Sequence, residues 1–109
     1  MDAQVMIWST AANPAEADAI ARALVAERLA ACVHTHPVAS TYRWQGAVET
    51  AAEVALVAKT TAALADAVAA RIAALHSYAV PEILVTPITG SSPAYRVWLA
   101  ESVANPAQG

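Results

Sequence analysis

Between Cys32 and Lys59, strand-forming β-branched and aromatic residues alternate with polar ones, and the run is broken only by Gln45-Gly46. Successive side chains of a strand point to opposite faces, and a Gln-Gly pair supplies a tight turn. The pattern is therefore a long β-hairpin. The first arm, CVHTHPVASTYRW, contains Pro37, where a break in the strand is expected. The second arm runs from Ala47 to Lys59. Its EVALVAK segment is apolar on both faces and belongs at the centre of a sheet. A hairpin of this length cannot bury its own faces, so the rest of the chain has to be arranged around it.

The flanking segments supply that arrangement. QVMIWST, residues 4 to 10, is a short apolar run suited to a buried strand. Asn13-Pro14-Ala15-Glu16 then reads as a helix start, with Asn13 as the cap, Pro14 where a missing N–H costs nothing, and Glu16 reaching back. Ala17, Ile20, Ala21 and Leu24 follow at helical spacing, and the helix is expected to end near Leu29. After the hairpin, Thr60 or Thr61 caps a second helix carrying Leu64, Val68, Ile72 and Leu75 on one face. Pro81 to Ile88 gives a fourth strand, and Ser92-Pro93 opens a short helix bearing Tyr95, Trp98 and Leu99. With no linker or internal repeat, residues 1–109 form one domain. The expected class is α+β: a ferredoxin-like split βαβ, in which a βαββαβ antiparallel sheet carries two helices on one face, plus a C-terminal helix. The other sheet face must be covered by that last helix or by a partner subunit.

Composition bears on this point. Hydrophobic residues make up 58% of the chain and charged residues 14%, too few charges to cover the surface well, so part of the molecule is expected to face another subunit. Phe is absent, and three Trp and three Tyr supply all the aromatic bulk. The six Lys and Arg are scattered and the net charge is −3, which argues against a nucleic-acid or acidic-membrane partner. No apolar run approaches the roughly 18 residues of a membrane span. The N-terminal MDAQ carries an acid where a secretory leader needs positive charge, and one Cys forms no intrachain disulfide. A cytoplasmic chain is expected.

Two constellations carry candidate chemistry. Cys32, His34 and His36 fall on one face of a strand about 6.5 to 7 Å apart, a donor set suited to zinc or copper. The bland alternative is a small buried thiol beside two surface imidazoles. The second constellation is HSYAVPEI, residues 76 to 83, in which His76 closes a helix and Glu82 opens a strand. Glu82 is either a solvated strand start or a partner of Lys59. Catalysis finds little support: there is no G-x-S-x-G, no Gly-rich phosphate loop and no HExxH, and the chain has only three glycines.

In order along the chain stand Ala30-Ala31-Cys32-Val33 with Pro37; Tyr42, Trp44 and Gly46; Glu53-Val54 and Lys59-Thr60; His76, Tyr78, Val80, Pro81, Glu82 and Ile83; and Tyr95 with Trp98. This succession resembles the CutA divalent-cation tolerance proteins. The resemblance implies a ferredoxin-like subunit in a tight homotrimer, similar in plan to the PII signalling proteins, with the hairpin and C-terminal segment packed between subunits. It implies a non-catalytic, cytoplasmic metal-response protein with no obligatory cofactor, binding Cu(II) or Zn(II) at or near inter-subunit clefts. Cys32, His76 and Glu82, with His34 as a weaker addition, would be the metal ligands, and Tyr42, Trp44, Lys59, Tyr78 and Trp98 would line the cleft. The alternatives are a PII-like sensor of a small anionic metabolite, with Lys59 supplying charge, and a scaffolding trimer. The chain departs from the family at His34, His36, Ser77 and Ala79, where the family usually has Asn, an apolar residue, Pro and a polar residue.

Overall fold

The structure is a computed structural model that describes residues 2–105. Its elements are β1 (Gln4–Ala11), α1 (Pro14–Ala26), β2 (Cys32–Trp44), β3 (Ala47–Thr61), a 3-10 turn (Ala62–Leu64), α2 (Ala65–Leu75), β4 (Leu84–Pro87) and α3 (Pro93–Ser102). The strands form one antiparallel sheet in the order β2-β3-β1-β4, with β3 internal as its two-faced apolar pattern requires. This is the α+β split βαβ plan.

Local chemistry fixes the joints. Asn13 Oδ1 accepts from the Glu16 N–H at 2.9 Å, Pro14 takes the first helical position, and Glu16 Oε1 reaches back to the Ala12 N–H at 3.1 Å. The helix stops at Ala26, short of Leu29, because Arg28 adopts φ 58° and the N–H groups of Leu29 and Ala30 both turn back to Leu24 O. At the hairpin tip Gln45 (φ 49°) and Gly46 (φ 83°) are both left-handed, the geometry of a turn that matches strand twist. β2 runs through Pro37 without the expected break, since an edge strand tolerates a missing N–H. Neither threonine caps α2 as expected. Thr61 stands at the start of the 3-10 turn without a side-chain bond, and the Thr60 hydroxyl donates to Leu29 O at 2.6 Å. β4 is shorter than Pro81–Ile88 because its pairing with β1 covers only Leu84 to Pro87.

Val5, Ile7 and Ala11 of β1 and Val54, Leu56 and Ala58 of β3 pack against Ala17, Ile20 and Leu24 of α1 and Val68 and Ile72 of α2. One sheet face is therefore the core. By strand alternation and register, the opposite face carries Met6, Trp8 and Thr10, then Glu53, Ala55, Val57 and Lys59, then Cys32, His34, His36 and Val38, with Leu84 at the β4 edge. Its Gln4 end meets α3, where Gln4 Nε2 donates to Arg96 O at 2.9 Å and Leu99 is fully buried. Arg28 ties down the far end of that helix by donating to the carbonyls of Glu101 and Val103 at 3.0 and 3.2 Å. The hairpin also outruns its neighbour: β1 pairs with β3 only as far as Ala11↔Val54, so Ala47–Glu53 overhang the sheet with β2 alone beside them.

Candidate functional site

The register divides the expected site residues between two places. Cys32, Lys59 and Met6 form one cross-strand row, whereas His36, Ala55 and Thr10 form another, four residues further along each strand and hence about 13 Å away. In the first place Lys59 Nζ lies 3.0 Å from His34 Nδ1, with Cys32 directly across from Lys59. His76, Tyr78 and Glu82 gather at the other end with Tyr42 and Trp44. Trp98 lies on α3, half exposed, its ring 5.3 Å from that of Tyr95. Within one chain Cys32 does not meet His76, and Glu82 does not meet Lys59. No group of three His, Cys, Asp or Glu among the described residues is placed to hold a metal ion. A full ligand set drawn from these residues would therefore have to be completed by a second subunit.

The second place is a cleft of about 800 Å³ between the hairpin end and the loop after α2, lined by Thr10, Ser40 to Trp44, Glu53, Ser77 to Val80, and Glu82. His76 anchors that loop. Its side chain is 0% exposed, and Nε2 faces Thr10 O, a carbonyl that only accepts, so Nε2 carries the proton. Nδ1 is then free to accept the Tyr78 N–H at 3.0 Å. With both ring nitrogens engaged, a metal at His76 would have to displace one of these bonds.

Glu16 holds the same loop from α1. Oε2 accepts the Ser77 N–H at 3.1 Å, and Oε1 lies 3.6 Å from His76 Nδ1. Burial pushes the Glu16 carboxyl upward, but the hydrogen bonds from Ser77 and Ala12 outweigh it, so the group sits below its ordinary range. Tyr78 Oη donates to Glu53 Oε2 at 2.8 Å. Burial, the bond to Glu53 and that residue's charge push the phenol up to about 12.

Sequence reasoning did not single out Glu53 as a cleft residue, nor Glu16 as the group that holds the loop beside the cleft. The signal for Glu53 was present: it is an acid at the head of EVALVAK, a segment otherwise buried, and it is only 7% exposed. Glu16 gave no such signal, because its capping role accounted for it fully.

The antiparallel sheet with two helices on one face and a polar, aromatic cleft beside a long hairpin define a ferredoxin-like α+β protein. A profile described as CutA1 divalent ion tolerance protein matches residues 5–102, and the chain belongs to that family. It is 48% identical over 84 residues to the divalent-cation tolerance protein CutA of Thermus thermophilus, covering 76% of this chain and 82% of that one. It is 36% identical over 102 residues to the chloroplastic protein CutA of Arabidopsis thaliana, covering 93% of this chain but 56% of that one. The chain thus spans little more than half the length of the plant relatives it matches. The crystal structure of CutA1 from Oryza sativa superposes with a TM-score of 0.92 at 36% identity, covering 94% of this chain and 95% of that one. For the Thermus thermophilus structure the TM-score is 0.90 at 41% identity, covering 93% and 99%.

Proposed function

We propose that this chain acts in divalent-cation tolerance as a non-catalytic, cytoplasmic homotrimer, and that it binds Cu(II) or Zn(II) where subunits meet. The observation that carries the reading is the sheet face opposite the helices. Trp8, Leu84 and Val38 lie on it, α3 is hydrogen-bonded to its Gln4 end, and Leu84 is left 57% exposed. A face of this kind calls for a second copy. The metal part rests on the names of the relatives and on donors that are separated within one chain, Cys32 and His34 in one place and Glu82 in the other. Association supplies the missing ligands.

The cytoplasmic part rests on the single Cys, and no helix of the described residues is long and apolar enough to cross a membrane. The Archaeoglobus fulgidus structure is described as periplasmic, so cell fractionation is the check on location.

Light scattering tests the assembly: a mass of three chains is expected, and a monomer at micromolar concentration overturns it. Calorimetry with Cu(II) and Zn(II) tests the site. The double variant Cys32→Ser/His34→Ala is expected to lose binding, and an unchanged stoichiometry sinks the assignment.

The sensor of a small anion finds less support. Lys59, its source of positive charge, reaches His34 and does not line the cleft, where Glu53 and Glu82 stand instead.

A further inference from the structure

One cation stands among the donors Cys32 and His34. Lys59 sits on β3 directly across from Cys32 on β2, and its Nζ lies 3.0 Å from His34 Nδ1. Strand alternation puts all three side chains on one sheet face. An ammonium has N–H donors and no acceptor, so His34 Nδ1 accepts and Nε2 carries the ring proton. A neutral imidazole offers one lone pair, and Lys59 holds it. The contact joins neighbouring strands of one chain and calls on no second subunit. His34 is also a departure of this chain, at a position where the family usually has Asn.

Both routes to a metal bond at His34 therefore run through Lys59. A metal on Nδ1 takes the lone pair that the ammonium holds. A metal on Nε2 shifts the ring proton to Nδ1, where an N–H would face the N–H groups of Lys59. On either route the ammonium has to swing away, and while it stays its charge repels a divalent ion at His34 and at Cys32 alike. We propose that Lys59 is the threshold-setting residue of this donor pair. It competes with the metal for His34 and sets the concentration at which Zn(II) or Cu(II) displaces it. This role rests on the metal-binding reading of Cys32 and His34, and it adds regulation to that reading: below the threshold the imidazole is closed. An uncharged side chain of the same length would leave it open.

Calorimetry with Zn(II) on the whole chain tests it. Lys59→Met keeps the reach of the side chain and removes its charge, and is expected to bind Zn(II) at least about tenfold more tightly than the parent at the same stoichiometry. Lys59→Gln, carried beside it should Lys59→Met fail to fold, is expected to gain in the same direction. The gain should vanish in Lys59→Met/His34→Asn. The metal-free protein gives a second readout, the nitrogen chemical shifts of the His34 ring. The parent should hold the proton on Nε2, and Lys59→Met should show a mixture of the two tautomers. Where the parent binds Zn(II), equal or weaker binding by the Lys59 variants overturns the role of Lys59 and leaves the metal-binding reading standing. A gain that survives the loss of His34 overturns it too, as does a parent ring with its proton on Nδ1. If neither the parent nor the Lys59 variants bind Zn(II) or Cu(II), the metal-binding reading falls and the role of Lys59 with it.

Discussion

Tyr78 Oη donates to Glu53 Oε2 at 2.8 Å, which fastens the loop after α2 to the strand at the centre of the sheet. The bond makes the loop's position depend on a phenol that must stay protonated. Tyr78 is pushed up to about 12, so the folded chain holds the proton more tightly than the unfolded one, whose phenol ionises near 10. Stability from this source is complete below about pH 10 and falls as the pH rises from there towards 12. Denaturant midpoints measured from pH 8 to 11.5 should decline at the alkaline end. Tyr78→Phe should be less stable at pH 8 by about 1 kcal/mol and flatter above pH 10. Equal alkaline slopes for the two proteins would remove Tyr78 as the cause.

Glu16 gives the opposite acid-side behaviour. Its folded carboxyl is held below the ordinary range, so its contribution is present above the unfolded value near 4.3 and disappears as the pH falls through the folded value. Glu16→Gln should show a shallower loss of stability between about pH 5 and 3, and a parent-like slope there counts against the assignment. At neutral pH the variant should lose about 1 to 2 kcal/mol, because a charged acceptor for the Ala12 and Ser77 N–H groups becomes a neutral one. Amide exchange at Ser77 should speed up with it.

Ser9 has a different lesson. It is 1% exposed on the core face of β1, between Ile7 and Ala11, and its hydroxyl has no hydrogen-bond partner among the described residues. Burying an unsatisfied hydroxyl is costly, so Ser9→Ala is expected to raise stability by about 1 kcal/mol. Thermal melts decide it; a lower Tm shows that the hydroxyl is satisfied by something other than protein.

Arg28 couples two distant segments. Its φ of 58° ends α1, its own carbonyl accepts the Ala104 N–H at 2.8 Å, and its guanidinium caps the C-terminal end of α3. Arg28→Gly suits the backbone and removes the cap, whereas Arg28→Ala loses both. Chemical denaturation should rank the parent above Arg28→Gly, and Arg28→Gly above Arg28→Ala by roughly 1 kcal/mol. The reverse order of the two variants assigns the effect to chain flexibility in the unfolded state.

The fold was legible because its signals are local. Alternation over Cys32 to Trp44, the two-faced apolar run after Glu53 and the Asn13-Pro14 start each follow from a few neighbouring residues. Pro37 misled because a proline's effect depends on whether its strand lies at an edge, and that is a property of the whole sheet. The site was half legible for the same reason. Tyr42, Trp44, Tyr78 and Glu82 do share a cleft, but the grouping of Cys32 with His76 depended on strand register. Four residues of offset, invisible in composition or spacing, put those two side chains at different ends of the sheet. Glu53 entered the cleft only through its hydrogen bond with Tyr78.

The overhang of β3 beyond Val54 sets a kinetic signature for the molecule. Along residues 47–50, all exposed, the main-chain groups that point away from β2 have no strand beside them in a lone chain, since β1 ends at Ala11. Those amides should exchange with deuterium almost as fast as a loop, while their β2-facing neighbours one residue along stay protected. Slow exchange at the outward set is therefore a label-free clock for whatever comes to lie against that edge. Its onset after dilution or refolding times the event residue by residue.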